Sequence, residues 1–296
     1  MSPQPKAPLS GRLFCFGLGF SARALARRLA AAGWQVAGTT RSPERAAELR
    51  AAGFEAHLFG RGRPLDPAAL DGTTHLLVSI APDDAGDPVL DVHGPALAAL
   101  PALAWIGYLS TTGVYGDWQG REVDETSELR GAKGRNRRRI EAEAAWLALD
   151  AGHGLPVHVF RLAGIYGPGR SALDQVRAGR ARRIDKPGHL FSRIHVEDIA
   201  TVLEASMARP HPGRIYNVCD NEPAEAAAVT AHACELLGVA APPLVPLDEA
   251  QLSPMARSFW EDNRLVSNRR LHRELGVTLA YPNYRAGLAA ILAAEA

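Results

Sequence analysis

Apolar stretches of strand length alternate with stretches of helical period along the first half of the chain. The strand-like stretches cover residues 12–16, 35–39, 56–59, 75–80, 105–109 and 157–162. The first helix-like stretches run from Ala22 to Ala32 and from Pro43 to Ala52. Continuous apolarity is typical of strands that are covered on both faces, and the alternation implies parallel pairing through right-handed crossovers. The pattern predicts an α/β fold with a doubly wound (Rossmann) parallel sheet.

The regular alternation of strand-like and helix-like stretches ends at about Tyr166. A YGPGR motif is followed by the basic loop RAGRARRIDKPG, the helix-like HVEDIATVLEASMA, the strand-like RIYNV and an alanine-rich helix over Ala224 to Leu237. We therefore predict one domain over residues 1–165 and a smaller C-terminal lobe over residues 166–296, interleaved with the last strands of the sheet. The stretch AAPPLVP, Ala240 to Pro246, is the best linker candidate.

A glycine motif follows the first predicted strand directly. Gly17, Gly19 and Ala22 form G-x-G-x-x-A where a strand ends and a helix begins, which is the context that gives this pattern meaning. The first glycine permits a tight turn, the second lets a pyrophosphate approach the backbone, and the small alanine permits close packing of helix on strand. The residues predicted to contact a dinucleotide here are Gly17, Leu18, Gly19, Phe20, Ser21 and Ala22.

The end of the second strand predicts which dinucleotide is bound. Sites for NAD usually carry Asp or Glu about twenty residues after the glycines, but this chain reads Thr39-Thr40-Arg41-Ser42. A guanidinium matches a 2′-phosphate, and the Thr40 and Ser42 hydroxyls are neighbouring donors. We predict NADP rather than NAD as the cofactor. A solvated arginine at a strand end remains the alternative interpretation of Arg41.

Two further strand ends carry small polar residues at the edge where a parallel sheet binds ligands. At the ends of the fourth and fifth predicted strands we expect cofactor contacts from Ser79, Ile80, Ala81 and Ser110. Thr111 follows within YLSTTGVYGD, and its hydroxyl can hydrogen-bond a substrate carbonyl or alcohol. Taken alone, Ser-Thr-Thr is also ordinary turn chemistry.

Several motifs in this order resemble one enzyme family. GLGFSA, STTGVYGD, RLAGIYGPGR, FSRIHVEDIA and YNVCDNEP resemble motifs of the extended and atypical short-chain dehydrogenase/reductases, which include nucleotide-sugar epimerases and dehydratases. The resemblance covers most of the chain to about Pro223. It implies a hydride-transfer or epimerase-like site, with Thr111 at the position of the catalytic serine or threonine.

The chain departs from that family at the catalytic Tyr-x-x-x-Lys. Its tyrosines are at positions 108, 115, 166, 216, 281 and 284, and none lies on the helix that carries the motif. With the downstream Glu143 as a reference, the tyrosine position falls on Arg135 and the lysine position on Arg139. Arginine keeps its proton in proteins and cannot act as an acid near neutral pH. Arg139 is still predicted to bind the ribose or an anionic substrate.

Another proton donor is therefore needed if the protein is an enzyme. Tyr115, Tyr166, His195 and Thr111 with water are candidates, although aromatic residues in such motifs more often pack than react. A structural role is favoured for His195. The predicted catalytic residues are Thr111, Arg139 and Tyr166, and the predicted substrate-binding residues are Arg135, Arg193 and His195.

Composition narrows the function classes. Thirty-three basic against thirty-two acidic side chains leave a net charge of +1, and no aromatic residues interleave the basic stretch KGRNRRR, so nucleic acid and membrane are not expected as partners. Cys15, Cys219 and Cys234 have no zinc-like spacing, so no metal is expected.

The polar N-terminus, MSPQPKAPLSG, and the early glycines do not resemble a signal peptide. We expect a cytoplasmic protein with a small-molecule substrate. A homodimer through Ile140 to Leu149 is left open, because burial against the chain's own core would give the same pattern.

Two functions remain. One is an NADP-dependent oxidoreductase or epimerase/dehydratase-like enzyme acting on a small carbonyl, alcohol or sugar-type substrate. The other is a catalytically inactive NADP(H)-binding sensor that has lost its proton relay. Turnover that is lost in Thr111→Ala would favour the enzyme.

Overall fold

The structure is a computed structural model that describes residues 11–295. Its strands are β1 (Arg12–Phe16), β2 (Gln35–Thr40), β3 (Glu55–Leu58), β4 (His75–Val78), β5 (Trp105–Thr111), β6 (Glu122–Val123), β7 (Val157–Leu162), β8 (Gly164–Tyr166), β9 (Arg183–Asp185), β10 (Arg193–His195), β11 (Ile215–Val218), β12 (Leu244–Pro246) and β13 (Leu265–Val266). Its α-helices are α1 (Phe20–Ala31), α2 (Pro43–Ala51), α3 (Pro88–Ala98), α4 (Gly134–His153), α5 (Ala172–Arg177), α6 (Val196–Ala208), α7 (Ala226–Leu236), α8 (Pro254–Ser258), α9 (Arg269–Leu275) and α10 (Tyr284–Ala293).

Seven strands form one parallel sheet in the order β11-β7-β5-β4-β1-β2-β3. The order reverses at β1, which pairs with β2 on one side and with β4 on the other. This is the doubly wound arrangement, and it confirms the predicted fold class. The carboxyl ends of β1 and β4 are therefore neighbours at the position where such sheets bind ligands.

The apolar strands are buried as their composition predicts. Residues 13–16 of β1 and all of β4 are buried, and every residue of β7 is buried as well. Helices cover both faces of a parallel sheet, so these strands carry no polar face. The predicted bounds of β1 and β7 are those observed, whereas α1 begins at Phe20, two residues before the predicted start.

The chain divides into two compact units. Within the described residues, unit 1 comprises 11–110, 141–159 and 203–214, and unit 2 comprises 111–140, 160–202 and 215–295. The predicted domain boundary after residue 165 stays a prediction, and its outermost residues, 1–10 and 296, lie outside the described part of the chain. So does most of the N-terminal segment on which the absence of a signal peptide was predicted.

Unit 2 contains three two-stranded parallel pairs, β8 with β10, β9 with β12, and β6 with β13. The predicted linker over Ala240 to Pro246 is partly wrong, because Leu244–Pro246 form β12 and Val245 is in register with Ile184. Proline is tolerated in such a short edge strand, where its missing N–H is not needed for pairing.

The described residues contain no helix that combines the length and the apolarity needed to cross a membrane. All three cysteines are buried and free, Cys15 in unit 1 and Cys219 and Cys234 in unit 2. Across residues 11–295, no group of three or more His, Cys, Asp or Glu side chains is arranged to hold a metal ion.

Candidate functional site

The glycine turn after β1 is held from two neighbouring strands of the sheet. Gly17 has φ +88°, a conformation that favours glycine. Its N–H donates to Thr39 Oγ1 at 2.9 Å, and the Leu18 N–H donates to the Thr39 carbonyl at 2.8 Å. The Ser79 hydroxyl donates to the Gly17 carbonyl at 2.6 Å. Thr39 of β2 and Ser79, directly after β4, thus fix this turn, and Thr39 is a supporting residue that sequence reasoning missed.

The start of α1 is open beside this turn. Gly19 is the N-cap, and within the described chain no side chain caps it and no acidic residue lies in the first turn. A Cβ built on Gly19 would meet no atom within 4 Å, whereas Ala22 is completely buried against the sheet. A helix end with these properties fits an anionic group, because its backbone N–H groups and dipole favour negative charge.

The end of β2 presents an arginine without a counter-ion. Arg41 is exposed and makes no ion pair or side-chain hydrogen bond within residues 11–295. Ser42 is less available than predicted, because its hydroxyl donates to Glu44 and accepts from the Arg45 N–H at 3.1 Å as the N-cap of α2. The hydrogen bond from Ser42 lowers the pKa of Glu44. The Thr40 hydroxyl accepts only a long bond, 3.4 Å, from the Ser42 N–H.

The two hydroxyls at the end of β5 have different partners. Ser110 is buried and donates to the buried carboxylate of Glu143 on α4, so its hydrogen is already used within the protein. Thr111 is partly exposed, and its Oγ1 accepts the Gly113 N–H at 3.1 Å. Its hydroxyl hydrogen has no acceptor in the described chain, so Thr111 keeps a donor for a ligand oxygen.

Tyr115 belongs to a buried polar network in unit 2. Its hydroxyl donates to Asn217 Oδ1 at 2.7 Å and accepts from Arg161 Nη1 at 2.9 Å. Burial raises the pKa of Tyr115 to about 12. A phenol in these surroundings is a poor proton donor near neutral pH, and the contacts instead hold the loop after β5 in place.

Tyr166 and His195 also pack within unit 2. The Tyr166 hydroxyl donates to the Asn283 carbonyl at 3.4 Å, and burial raises the pKa of Tyr166 well above its usual range. His195 accepts the Glu197 N–H on Nδ1 at 3.2 Å, and its ring centroid lies 3.9 Å from that of Tyr281 and 5.2 Å from that of Tyr166. This packing favours structural roles, although the predicted functions of both residues stay predictions.

Arg135 stands on an aromatic side chain. Its guanidinium carbon lies 4.0 Å from the centroid of Phe259, and Nη2 donates to Ser258 Oγ at 3.3 Å. Such stacking leaves the remaining N–H groups free to meet an anion. Arg139, one turn further along α4, is partly buried and already has a partner in the protein. Neither Phe259 nor Ser258 carried a sequence signal, since both lie more than a hundred residues away.

Arg193 lies on β10, and its side chain donates hydrogen bonds to backbone carbonyls. Its Nη1 donates to the carbonyls of Phe191 at 2.8 Å and Ala224 at 2.9 Å. The neighbouring Asp220, which sequence reasoning also missed, is 3 % exposed, and burial raises its pKa to about 7.

The predicted site residues fall into the two units as follows. Unit 1 brings the glycine turn together with Ser79 and Ile80. A Cβ built on Gly17 would lie 2.9 Å from Cγ1 of Ile80. Ala81 follows directly and is exposed. Leu18 and Ser21 are buried at this turn, and Phe20 already has a partner. Unit 2 holds Thr111, Arg135, Arg139, Tyr166, Arg193 and His195.

Comparison with known proteins identifies close relatives over most of the chain. Protein YeeZ from Escherichia coli K12 is 30 % identical over 219 residues, which cover 69 % of this chain and 75 % of YeeZ. A conserved protein of unknown function from Silicibacter pomeroyi DSS is 53 % identical, with 96 % and 99 % of the two chains covered and a TM-score of 0.90. A protein from Methylobacillus flagellatus assigned to the NAD-dependent epimerase/dehydratases is 27 % identical, with 96 % and 98 % covered and a TM-score of 0.71. No family model matches the sequence.

Proposed function

Because the chain belongs to the NAD(P)-dependent epimerase/dehydratase-like proteins of the extended short-chain dehydrogenase/reductase family, we propose that it is an NADP-dependent enzyme of that type. Its substrate is a small carbonyl, an alcohol or a sugar-type molecule. When bound, the cofactor supplies hydride transfer. The protein's own residues bind and orient the reactants and keep water away.

The observation that carries this proposal is the open start of α1 beside the glycine turn. An uncapped helix end with no acidic side chain in its first turn and free space above Gly19 suits a diphosphate. Gly17, Gly19 and Ser21 would hold the diphosphate. The exposed and unpaired guanidinium of Arg41 would hold a 2′-phosphate, which favours NADP over NAD.

The residues of unit 2 would handle the substrate. Thr111 would donate its unused hydroxyl hydrogen to a substrate oxygen, and Arg135 and Arg139 would meet anionic groups of the substrate or the cofactor ribose. Tyr166 is the weakest of the predicted catalytic residues, because its raised pKa makes it a poor acid.

Cofactor titration tests the choice of NADP. In Arg41→Ala, we expect the dissociation constant for NADPH to rise by about 10- to 100-fold, since a charge-assisted bond to phosphate contributes roughly 1.5–3 kcal/mol. The dissociation constant for NADH should be unchanged. Isothermal titration calorimetry of both cofactors measures the two values.

Arg209→Ala is the matched control, because Arg209 is exposed, lies in unit 1 and makes no side-chain hydrogen bond or ion pair in the described residues. Equal affinities of the unmodified protein for NADPH and NADH would contradict the preference for NADP. Failure to bind either dinucleotide would contradict the proposed function as a whole.

A second function, an NADP(H) sensor without turnover, is favoured by the state of the tyrosines. The hydroxyls of Tyr115 and Tyr166 both donate hydrogen bonds within the protein, and burial raises the pKa values of both residues. Turnover with a broad panel of carbonyls and alcohols, lost in Thr111→Ala and restored in Thr111→Ser, would support the enzyme. Tight NADPH binding with no turnover across the panel would support the sensor.

A further inference from the structure

Unit 2 contains a half-open cavity whose lining includes Tyr166 and Arg193, which the sequence predicts to act in catalysis and in substrate binding. Its volume is about 250 Å³, and it lies among β8, α5, α7 and α10. Most of its wall is apolar and comes from Tyr166, Ala172, Val229, Tyr284 and Leu288. Pockets that hold drug-sized molecules have roughly 300–1,000 Å³, so this cavity suits a smaller molecule.

One lining residue of the cavity, Arg193, is a cation with unused donors. Arg193 lines the cavity, and only its Nη1 is engaged, by the carbonyls of Phe191 and Ala224. Nε and Nη2 form no hydrogen bond with any residue in the described chain. Burial lowers the pKa of Arg193 because the partly buried guanidinium loses contact with water. A charge in such surroundings is costly unless a counter-ion meets it.

No carboxylate among residues 11–295 forms an ion pair with Arg193. Asp220 contributes to the electrostatic field at Arg193 but makes no ion pair with it among residues 11–295. Burial raises the pKa of Asp220 to about 7, so this group is largely protonated below neutral pH. Arg170 also lines the cavity, but it already has a partner.

We infer that the cavity binds a small monocarboxylate with a compact apolar group, whose two oxygens meet Nε and Nη2 of Arg193. The planar edge of a guanidinium matches a carboxylate in bidentate geometry, and the aromatic and aliphatic wall takes the apolar group. A phosphate fits less well, because Arg170 already has a partner in the protein and Arg193 alone offers too little charge for a dianion. None of the lining residues is among those proposed to hold the cofactor, so the inference does not depend on the proposed cofactor site.

Ligand-observed NMR and calorimetry with defined probes test the inference. We expect 3-methylbutyrate and benzoate to bind, and we expect their neutral amides to bind about 10- to 100-fold more weakly, since a charged hydrogen bond is lost. Arg193→Met should remove the preference for the acid. Ala172→Leu, at a partly exposed wall position, should weaken the binding of acid and amide alike by filling the cavity.

Arg273→Met is the control, because Arg273 is an exposed arginine of unit 2 away from the cavity lining. The Ala172→Leu and amide results remain decisive if Arg193→Met does not fold. Equal binding of acid and amide, or acid binding unaffected by Ala172→Leu, would overturn the inference. Titration of the same variants with NADPH tests the proposed function separately, because none of the cavity-lining residues is among those proposed to hold NADP.

Discussion

Two glycines of the turn after β1 have different surroundings, which indicates that one is needed for folding and the other for binding. A Cβ on Gly17 would lie 2.9 Å from Ile80 Cγ1 and 3.0 Å from Ser79 Oγ, at φ +88°. A Cβ on Gly19 would meet nothing within 4 Å. Gly17 is therefore required by the fold, whereas Gly19 leaves space for a ligand.

Alanine substitution at the two glycines should show this separation. We expect Gly17→Ala to lower the free energy of unfolding by about 1–3 kcal/mol, because it adds strain and a close contact. Gly19→Ala should change stability by less than about 0.5 kcal/mol while weakening NADPH binding. Denaturant unfolding and calorimetry measure the two effects. A large loss of stability in Gly19→Ala would show that the open space has another role.

At the scale of elements, α10 packs unusually close to β8. A Cβ on Gly287 would lie 2.1 Å from the hydroxyl oxygen of Tyr166 and 2.7 Å from two of its ring carbons. Tyr166 packs in a cluster with Leu173, Tyr284 and Leu288, so moving its ring away from the helix would break these contacts. Glycine is here the residue that allows the helix to approach the strand.

Gly287→Ala should destabilise the protein by about 1–3 kcal/mol, although alanine is the better helix former. The control is Gly152→Ala in α4, which meets no atom within 4 Å and should stabilise by up to about 1 kcal/mol. Thermal and denaturant unfolding of the two variants check the opposite signs. Equal stability of the two variants would contradict the close packing of α10.

The elements also show which features the sequence could predict. The strands and the glycine turn were predictable because their signals are local: continuous apolarity for β1 and β7, and G-x-G-x-x-A between strand and helix. The partners of the site residues were not predictable in this way. Glu143 accepts a hydrogen bond from Ser110, 33 positions away, and Phe259, directly after α8, stacks with Arg135. Such pairings depend on the tertiary fold, so periodicity and spacing do not reveal them.

At the scale of the whole molecule, buried titratable groups predict how stability depends on pH. Burial lowers the pKa values of His75, His158 and His189 from 6.5 to about 4, so these side chains are neutral in the folded state. The contribution of these neutral side chains to the free energy of unfolding is fully present above pH 6.5 and is lost as the pH falls toward 4. The raised pKa of Asp220 acts in the opposite direction, since its contribution is lost as the pH rises from about 4 to about 7.

With His93, four histidines have lowered pKa values, whereas two carboxyl groups, Asp220 and Glu125, have raised ones. We therefore expect the free energy of unfolding to fall as the pH decreases from 6.5 to 4.5. His158→Gln should reduce the slope of the free energy of unfolding against pH by the equivalent of about one proton, because one neutral buried imidazole is removed. Exposed His153→Gln is the control and should leave the slope unchanged. Denaturant unfolding at several pH values measures the slope, and constant stability over this range would contradict the expectation.

The burial of all three thiols has a practical consequence for following motions of the protein. Burial raises the pKa values of Cys15 and Cys219, so neither group forms a reactive thiolate in the closed state. An alkylating reagent can then react only when the surrounding structure opens. Because Cys15 lies in unit 1 and Cys219 and Cys234 lie in unit 2, the rate at which each thiol is modified reports separately on the opening of its own unit.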